Sequence, residues 1–132
     1  MQGGARLLQR ARVRRPAEFE QAYAEGFRIK GASGGAPGDG KGRAPLGLVC
    51  RPNGLGHPRL GLAIARKTLP RAVDRNRVKR LVRDDFRHNQ ERLPAADLVI
   101  YGQAGLDKAD AAQIRKTLAE FWLKVIDRCA GC

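Results

Sequence analysis

The sequence predicts an α/β (α+β) two-layer sandwich, a mixed sheet carrying amphipathic helices, and three observations point there. Two short apolar runs, LGLVC at 46–50 and RLGLAIA at 59–65, read as strands joined by the turn-forming PNGLGHP, a spacing that favours an antiparallel pair. A third run, DLVIY at 97–101, is the clearest strand, bounded by Leu93-Pro94 before it and Gly102 after it. Between the second and third runs lies a helical stretch, and a strand, a helix and a strand in that order suggest a parallel pairing around the helix. With 132 residues the chain is most simply one domain, residues 1–132, long enough to bury one modest core.

Taken in order, the chain begins with a basic arm, residues 1–15. Residues 16–25 then read as a short helix, with Pro16 at its first position and Gly26 as a left-handed stop. Phe19 and Tyr23 sit one turn apart in it, a spacing that serves a core or a surface on which bases stack. Residues 31–45, GASGGAPGDGKGRAP, are too rich in glycine and too poor in apolar side chains to fold by themselves, and read as a flexible inserted loop. Pro70 ends regular structure before a helix that starts near Ala72 or Asp74, with Asp74 as a plausible cap. After the DLVIY strand, Asp107 opens a last helix, with Leu106 as a staple residue and Asp110 in the first turn. Ile114, Leu118, Phe121, Trp122, Val125 and Ile126 give that helix an apolar side, which assigns Trp122 to the core. The order is α, β, β, with room for a third β, then α, β, α, and helices packed on one face of the sheet would bury these stripes.

The central helix has two unlike faces. Val78, Leu81, Val82 and Phe86 recur at the i, i+3, i+4 spacing of a stripe turned to a core. Asn76, Arg80, Arg83 and Arg87 form a second stripe, flanked by Arg77 and Lys79, with Arg75 at the beginning of the helix. A solvated charged face ordinarily alternates signs, whereas here Asp84 and Asp85 alone oppose the basic residues between 75 and 87. Guanidinium forks match phosphate oxygens, and a helix fixes their spacing in advance. The net charge of +13 makes nucleic acid the first partner to consider and an anionic membrane surface the second.

Other function classes fit poorly. No stretch approaches the ~20 apolar residues of a membrane span, and MQGGARLLQRARVRR lacks the apolar centre of a secretory signal, so the expectation is a cytoplasmic protein that binds no membrane. Three cysteines, Cys50, Cys129 and Cys132, suit a reducing compartment, and the CxxC of the last two has no second pair to complete a metal site. No catalytic residue and no metal ligand set is expected: Asp84-Asp85 is the one adjacent carboxylate pair in the basic helix, and neighbours on a helix point about 100° apart.

At Arg75-Asn76-Arg77-Val78-Lys79-Arg80, preceded by RLGLAIARK at 59–67, the chain resembles the bacterial ribonuclease P protein subunit. The resemblance covers roughly residues 12–127. It implies the order αβββαβα with a left-handed βαβ crossover, the ribosomal protein S5 domain 2-like arrangement. It implies a single copy of the chain assisting a catalytic RNA subunit in removing the 5′ leader from precursor tRNA, so that the endoribonuclease is the holoenzyme, its chemistry lies in the RNA, and Mg2+ is held by the RNA. On the same ground Arg66, Lys67, Arg75, Asn76, Arg77, Lys79, Arg80, Arg83 and Arg87 face the catalytic RNA, and Phe19 and Tyr23 line a cleft for the leader. Two departures stand out. The strand LGLVC has no aromatic where the family often has one, which predicts a poorer stacking surface, and Tyr101-Gly102-Gln103 stands where an Ala-Arg pair is common, which removes a cation. The competing reading is a small basic protein that binds ribosomal RNA and takes no part in cleavage.

Overall fold

In the computed structural model, residues 12–13, 16–29 and 45–128 are described. The elements run α1 (Pro16–Glu25), β1 (Phe27–Ile29), β2 (Leu46–Pro52), β3 (Arg59–Ala63), α2 (Ala72–Asn89), β4 (Ala96–Gly102) and α3 (Ala111–Arg128). Short 3-10 turns at Gln90–Arg92 and Leu106–Lys108 flank β4. Most of the basic arm, residues 31–44 of the glycine-rich loop and the Cys129/Cys132 pair lie outside the described residues.

The four strands form one sheet in the order β1-β2-β4-β3. β3 and β4 are parallel, with Arg59 opposite Asp97 and Ala63 opposite Tyr101, as the strand-helix-strand pattern around α2 suggests. The expected direct pairing of the 46–50 and 59–65 runs is not what forms. β4 lies between them, antiparallel to β2 from Leu46↔Gly102 to Pro52↔Ala96. The reason is burial: residues 96–100 are all buried, so this strand takes a place bonded on both edges, while β3, with Arg59, Leu62 and Ala63 half exposed, takes the rim. Adjacent strands are only ~4.8 Å apart, so the loop after β2 easily steps over one of them.

Helices cover both faces of the sheet, not one. Side chains alternate along a strand, and β2 and β4 are apolar on both sides. Leu46, Leu48, Cys50, Leu98 and Ile100 meet α2 and α3 in the main core, together with Val82, Phe86, Leu118, Phe121 and Trp122. On the reverse face, Val49 and Val99 pack with Ala22 of α1, with Phe19 and Tyr101 at the margin. A second apolar patch of this kind needs its own cover, and α1 supplies it.

The helix ends depart from the sequence expectations in instructive ways. Arg71, not Asp74, occupies the N-cap of α2, and no side chain caps it. Asp74 sits one turn in, where the helix dipole favours a carboxylate, within 3.7 Å of Arg71 and 3.9 Å of Arg77. Gly26 is not left-handed, since positive φ occurs among the described glycines at Gly54, Gly56 and Gly105. It is needed for close approach: a Cβ there would come within 2.7 Å of the Cys50 carbonyl oxygen. The last helix starts at Ala111, and Asp110 caps it by accepting from the Gln113 amide at 2.8 Å while Gln113 reaches back to the Asp110 amide at 3.4 Å. Leu106 and Asp107 belong to the preceding 3-10 turn, with Leu106 in the core.

Candidate nucleic-acid interface

α2 is held by its apolar stripe. Val78, Val82 and Phe86 are buried against the sheet and α3, and the Phe86 ring meets the Trp122 ring edge-on at 6.0 Å. Trp122 is core, and its indole N–H needs a partner there, which it finds by donating to Asp85 Oδ2 at 2.7 Å. Asp84 turns the other way and pairs with Arg87. The two adjacent carboxylates therefore serve different partners and do not converge. Among the described residues, no group of three His, Cys, Asp or Glu side chains could hold a metal ion.

The opposite side of α2 and the turn before it carry the cations. Leu69 is buried, and its amide donates to the Ala65 carbonyl at 3.0 Å, closing a turn that leaves Arg66 and Lys67 exposed. Arg75 fastens this turn to the helix: its Nη1 donates to the carbonyls of Leu69 at 2.8 Å and Pro70 at 2.9 Å. Asn76, Arg77 and Arg80 are exposed. Lys79, Arg83 and Arg87 are half-buried, the first two leaning toward the rim of the sheet where they meet Phe19, Leu60 and Leu62. Burial, and secondarily the charge of Arg12, lowers the pKa of Arg83 from its ordinary value. The residues assigned to RNA thus divide into an exposed row, a rim pair, and two arginines already engaged within the protein.

The second surface is the sheet face beneath α1. Phe19 is half-buried against Val49 and Val99, its ring so close over Gly61 that a Cβ there would lie 3.0 Å away. Tyr23, one turn on, is 39% exposed, which leaves part of its ring open to solvent. Its phenol is held above the ordinary pKa, first by burial and then by Tyr101, with Arg28 acting against both. Tyr101 lies across Gly47, where any Cβ would overlap its ring. Arg28 donates to the Tyr101 hydroxyl at 3.1 Å and stands 5.7 Å from the ring centroid. The aromatic missing from β2 is thus answered by one on the neighbouring β4, lying over a β2 glycine, and Arg28 supplies a cation on the same face.

An ionic network centred on the buried Asp97 fixes α1 over this face. Asp97 is 1% exposed and takes both forks of Arg59, at 2.8 and 2.7 Å, plus the Asn53 amide at 2.9 Å. Arg59 also reaches Glu18 of α1 at 3.0 Å, and Arg51 reaches Glu25 at the end of α1 at 2.9 Å. The Arg59 guanidinium is raised above its ordinary range, chiefly by the hydrogen bond to Asp97 and against the effect of burial. Sequence reasoning missed Arg28, Tyr101 and this network. Period-two alternation in DLVIY puts Asp97, Val99 and Tyr101 on one face, and that signal could have found the tyrosine.

A family model described as Ribonuclease P matches residues 36–126. The ribonuclease P protein component of Idiomarina loihiensis is 44% identical over 86 residues, which are 65% of this chain and 69% of that protein. The corresponding component of Pasteurella multocida is 47% identical over 81 residues, 61% of this chain and 68% of that protein. Among solved structures, the RNase P protein of Staphylococcus aureus has the same fold, with a TM-score of 0.70 at 23% identity over 87% of this chain and 94% of that one. An RNase P protein structure from Thermotoga maritima gives 0.68 at 26% identity, over 84% of this chain and 96% of that one. These likenesses separate the two readings that charge and size left open, and the chain belongs to the ribonuclease P protein family.

Proposed function

We propose that this chain works in the cytoplasm as one copy per ribonucleoprotein, gripping the catalytic RNA with Arg66, Lys67, Asn76, Arg77, Lys79, Arg80 and Arg83 and receiving the 5′ leader of precursor tRNA on the face lined by Phe19, Tyr23, Tyr101 and Arg28. Arg75 holds the basic turn for the RNA, and Arg87 extends the row. The observation that carries this reading is the presence of two separate surfaces on one fold: a helix crowded with cations, and an aromatic face on the far side of the sheet. The first suits a folded RNA backbone; the second suits unpaired bases, which offer a ring face to stack on.

The bond broken is a phosphodiester of the precursor, hydrolysed by water. Mg2+, which activates water and neutralises the leaving oxygen in such reactions, finds no cluster of ligands among the described residues, and we assign it to the RNA. The protein then lowers repulsion between two polyanions and binds the leader. Adding the chain to the catalytic RNA is therefore expected to reduce the Mg2+ needed for cleavage, while the chain alone leaves precursor tRNA intact. Cleavage by purified protein free of RNA, or an unchanged Mg2+ requirement, would contradict this division of labour. Binding should also weaken steeply with salt, because each neutralised phosphate releases condensed counterion, with a slope of about 0.7 per contact on single-stranded RNA. A flat log-log plot of affinity against salt would remove the cationic helix from the account.

A further inference from the structure

α1 is pinned to the sheet at both ends by ion pairs that lead back to one buried carboxylate. Glu18, in its first turn, accepts from Arg59 Nη1 at 3.0 Å, and Glu25, its last residue, accepts from Arg51 Nε at 2.9 Å. Both arginines turn to Asp97, Arg59 through two hydrogen bonds and Arg51 with its Nη1 4.0 Å from Oδ2. Glu18 and Glu25 stand two turns apart, about 10 Å along the axis, on the face that also carries Ala22. Apolar packing alone sets the roll of this helix weakly. Of its ten residues only Ala22 is buried, and a methyl group offers little lever against rotation, with Phe19 half-buried beside it. Gly26 fixes how closely the end of the helix approaches Cys50, not how the helix is turned. Roll matters to the rings. A side chain about 5 Å from a helix axis moves about 1 Å for each 10° or so of rotation, and a gap of about 0.5–1 Å already forfeits a quarter to a half of a van der Waals contact.

We propose that Glu18 and Glu25 are positioning residues for leader recognition: they touch no RNA, and through Arg59 and Arg51 they set the roll of α1 that aims Phe19 and Tyr23. The inference rests on the leader-binding reading of this face. Charge gives the role a distinct signature. In a chain of net charge +13, a carboxylate near an RNA-binding face opposes binding through its charge alone. Removal of a negative charge that does nothing else should therefore tighten every RNA, whereas removal of a positioning contact should loosen the leader alone.

The test is binding of precursor tRNA and of mature tRNA to ribonucleoprotein assembled with the full chain carrying Glu18→Gln, Glu25→Gln or both, at a temperature where thermal melts show each variant folded. Each single variant is expected to weaken precursor binding about threefold and the pair about tenfold, the size of one and of two partly exposed ion pairs. Mature tRNA should bind as tightly as to the wild type, or slightly more tightly. Glu20→Gln is the control: exposed on the same helix and outside the network, it removes the same charge and should weaken neither RNA. Cleavage kinetics should show the same split, with KM for the precursor raised more than kcat is lowered. Precursor bound by both variants as tightly as by Glu20→Gln, with Phe19→Ala/Tyr23→Ala still abolishing the preference for precursor, would overturn the positioning role and leave the leader reading standing. An equal loss of precursor and mature tRNA would also overturn it, because the ion pairs would then serve assembly and not the leader. A wild-type holoenzyme with no preference for the precursor would overturn both.

Discussion

Asp97→Ala is expected to destabilise the protein by about 3 kcal/mol, the low end of the cost of stripping one partner from a buried ion pair. The low end applies because Arg59, left behind, keeps 16% of its side chain exposed and retains Glu18 at 3.0 Å. Asp97 itself is 1% exposed and accepts from Arg59 twice and from Asn53 once, so its removal takes away three hydrogen bonds in one place. For a chain of this size the melting temperature should fall by roughly 10–15 °C. Calorimetric melts measure it directly. A fall of under about 2 °C would mean that the network contributes little and that α1 is fixed by Ala22, Phe19 and their contacts alone.

Val82→Asp should go further and bring the chain toward the edge of unfolding at 25 °C. Val82 is fully buried between the sheet and α3, and a carboxylate there has no partner. A cost of about 4–5 kcal/mol or more is a large share of a total stability of roughly 5–15 kcal/mol. Arg77→Ala and Arg80→Ala form the contrast. Both side chains are exposed on the other side of the helix, and their loss should change stability by no more than about 0.5 kcal/mol while weakening association with the catalytic RNA. Melts showing either arginine variant to be as unstable as Val82→Asp would mean that the helix faces are wrongly divided.

Much of this architecture is legible because it is local. The spacing of Val78, Val82 and Phe86, and of Ile114, Leu118, Phe121 and Val125, survives as buried stripes since a helix repeats every 3.6 residues whatever surrounds it. Sheet order is not local. Nothing within residues 46–65 says that β4, more than thirty residues later, will enter between β2 and β3. Arg59 and Asp97 are equally opaque, being 38 positions apart and each an ordinary surface residue type. Side-chain engagement hides in the same way: Arg75 and Arg80 look alike in the sequence, yet one donates to two carbonyls of the preceding turn and the other stands in solvent. Tyr101 is legible, since the last strand's own alternation puts it on the face of Val99.

The central claim, that the aromatic face under α1 recognises the leader, is tested most directly by binding to the assembled ribonucleoprotein. Precursor tRNA and mature tRNA, which lacks the leader, are each titrated against holoenzyme made with wild-type chain and with the Phe19→Ala/Tyr23→Ala variant. Stacking contributes about 1–3 kcal/mol per base, so the wild type should prefer the precursor by at least about tenfold. The variant should lose most of that preference and bind mature tRNA as before. Equal wild-type affinity for the two RNAs, or a preference that survives the loss of both rings, would contradict the account.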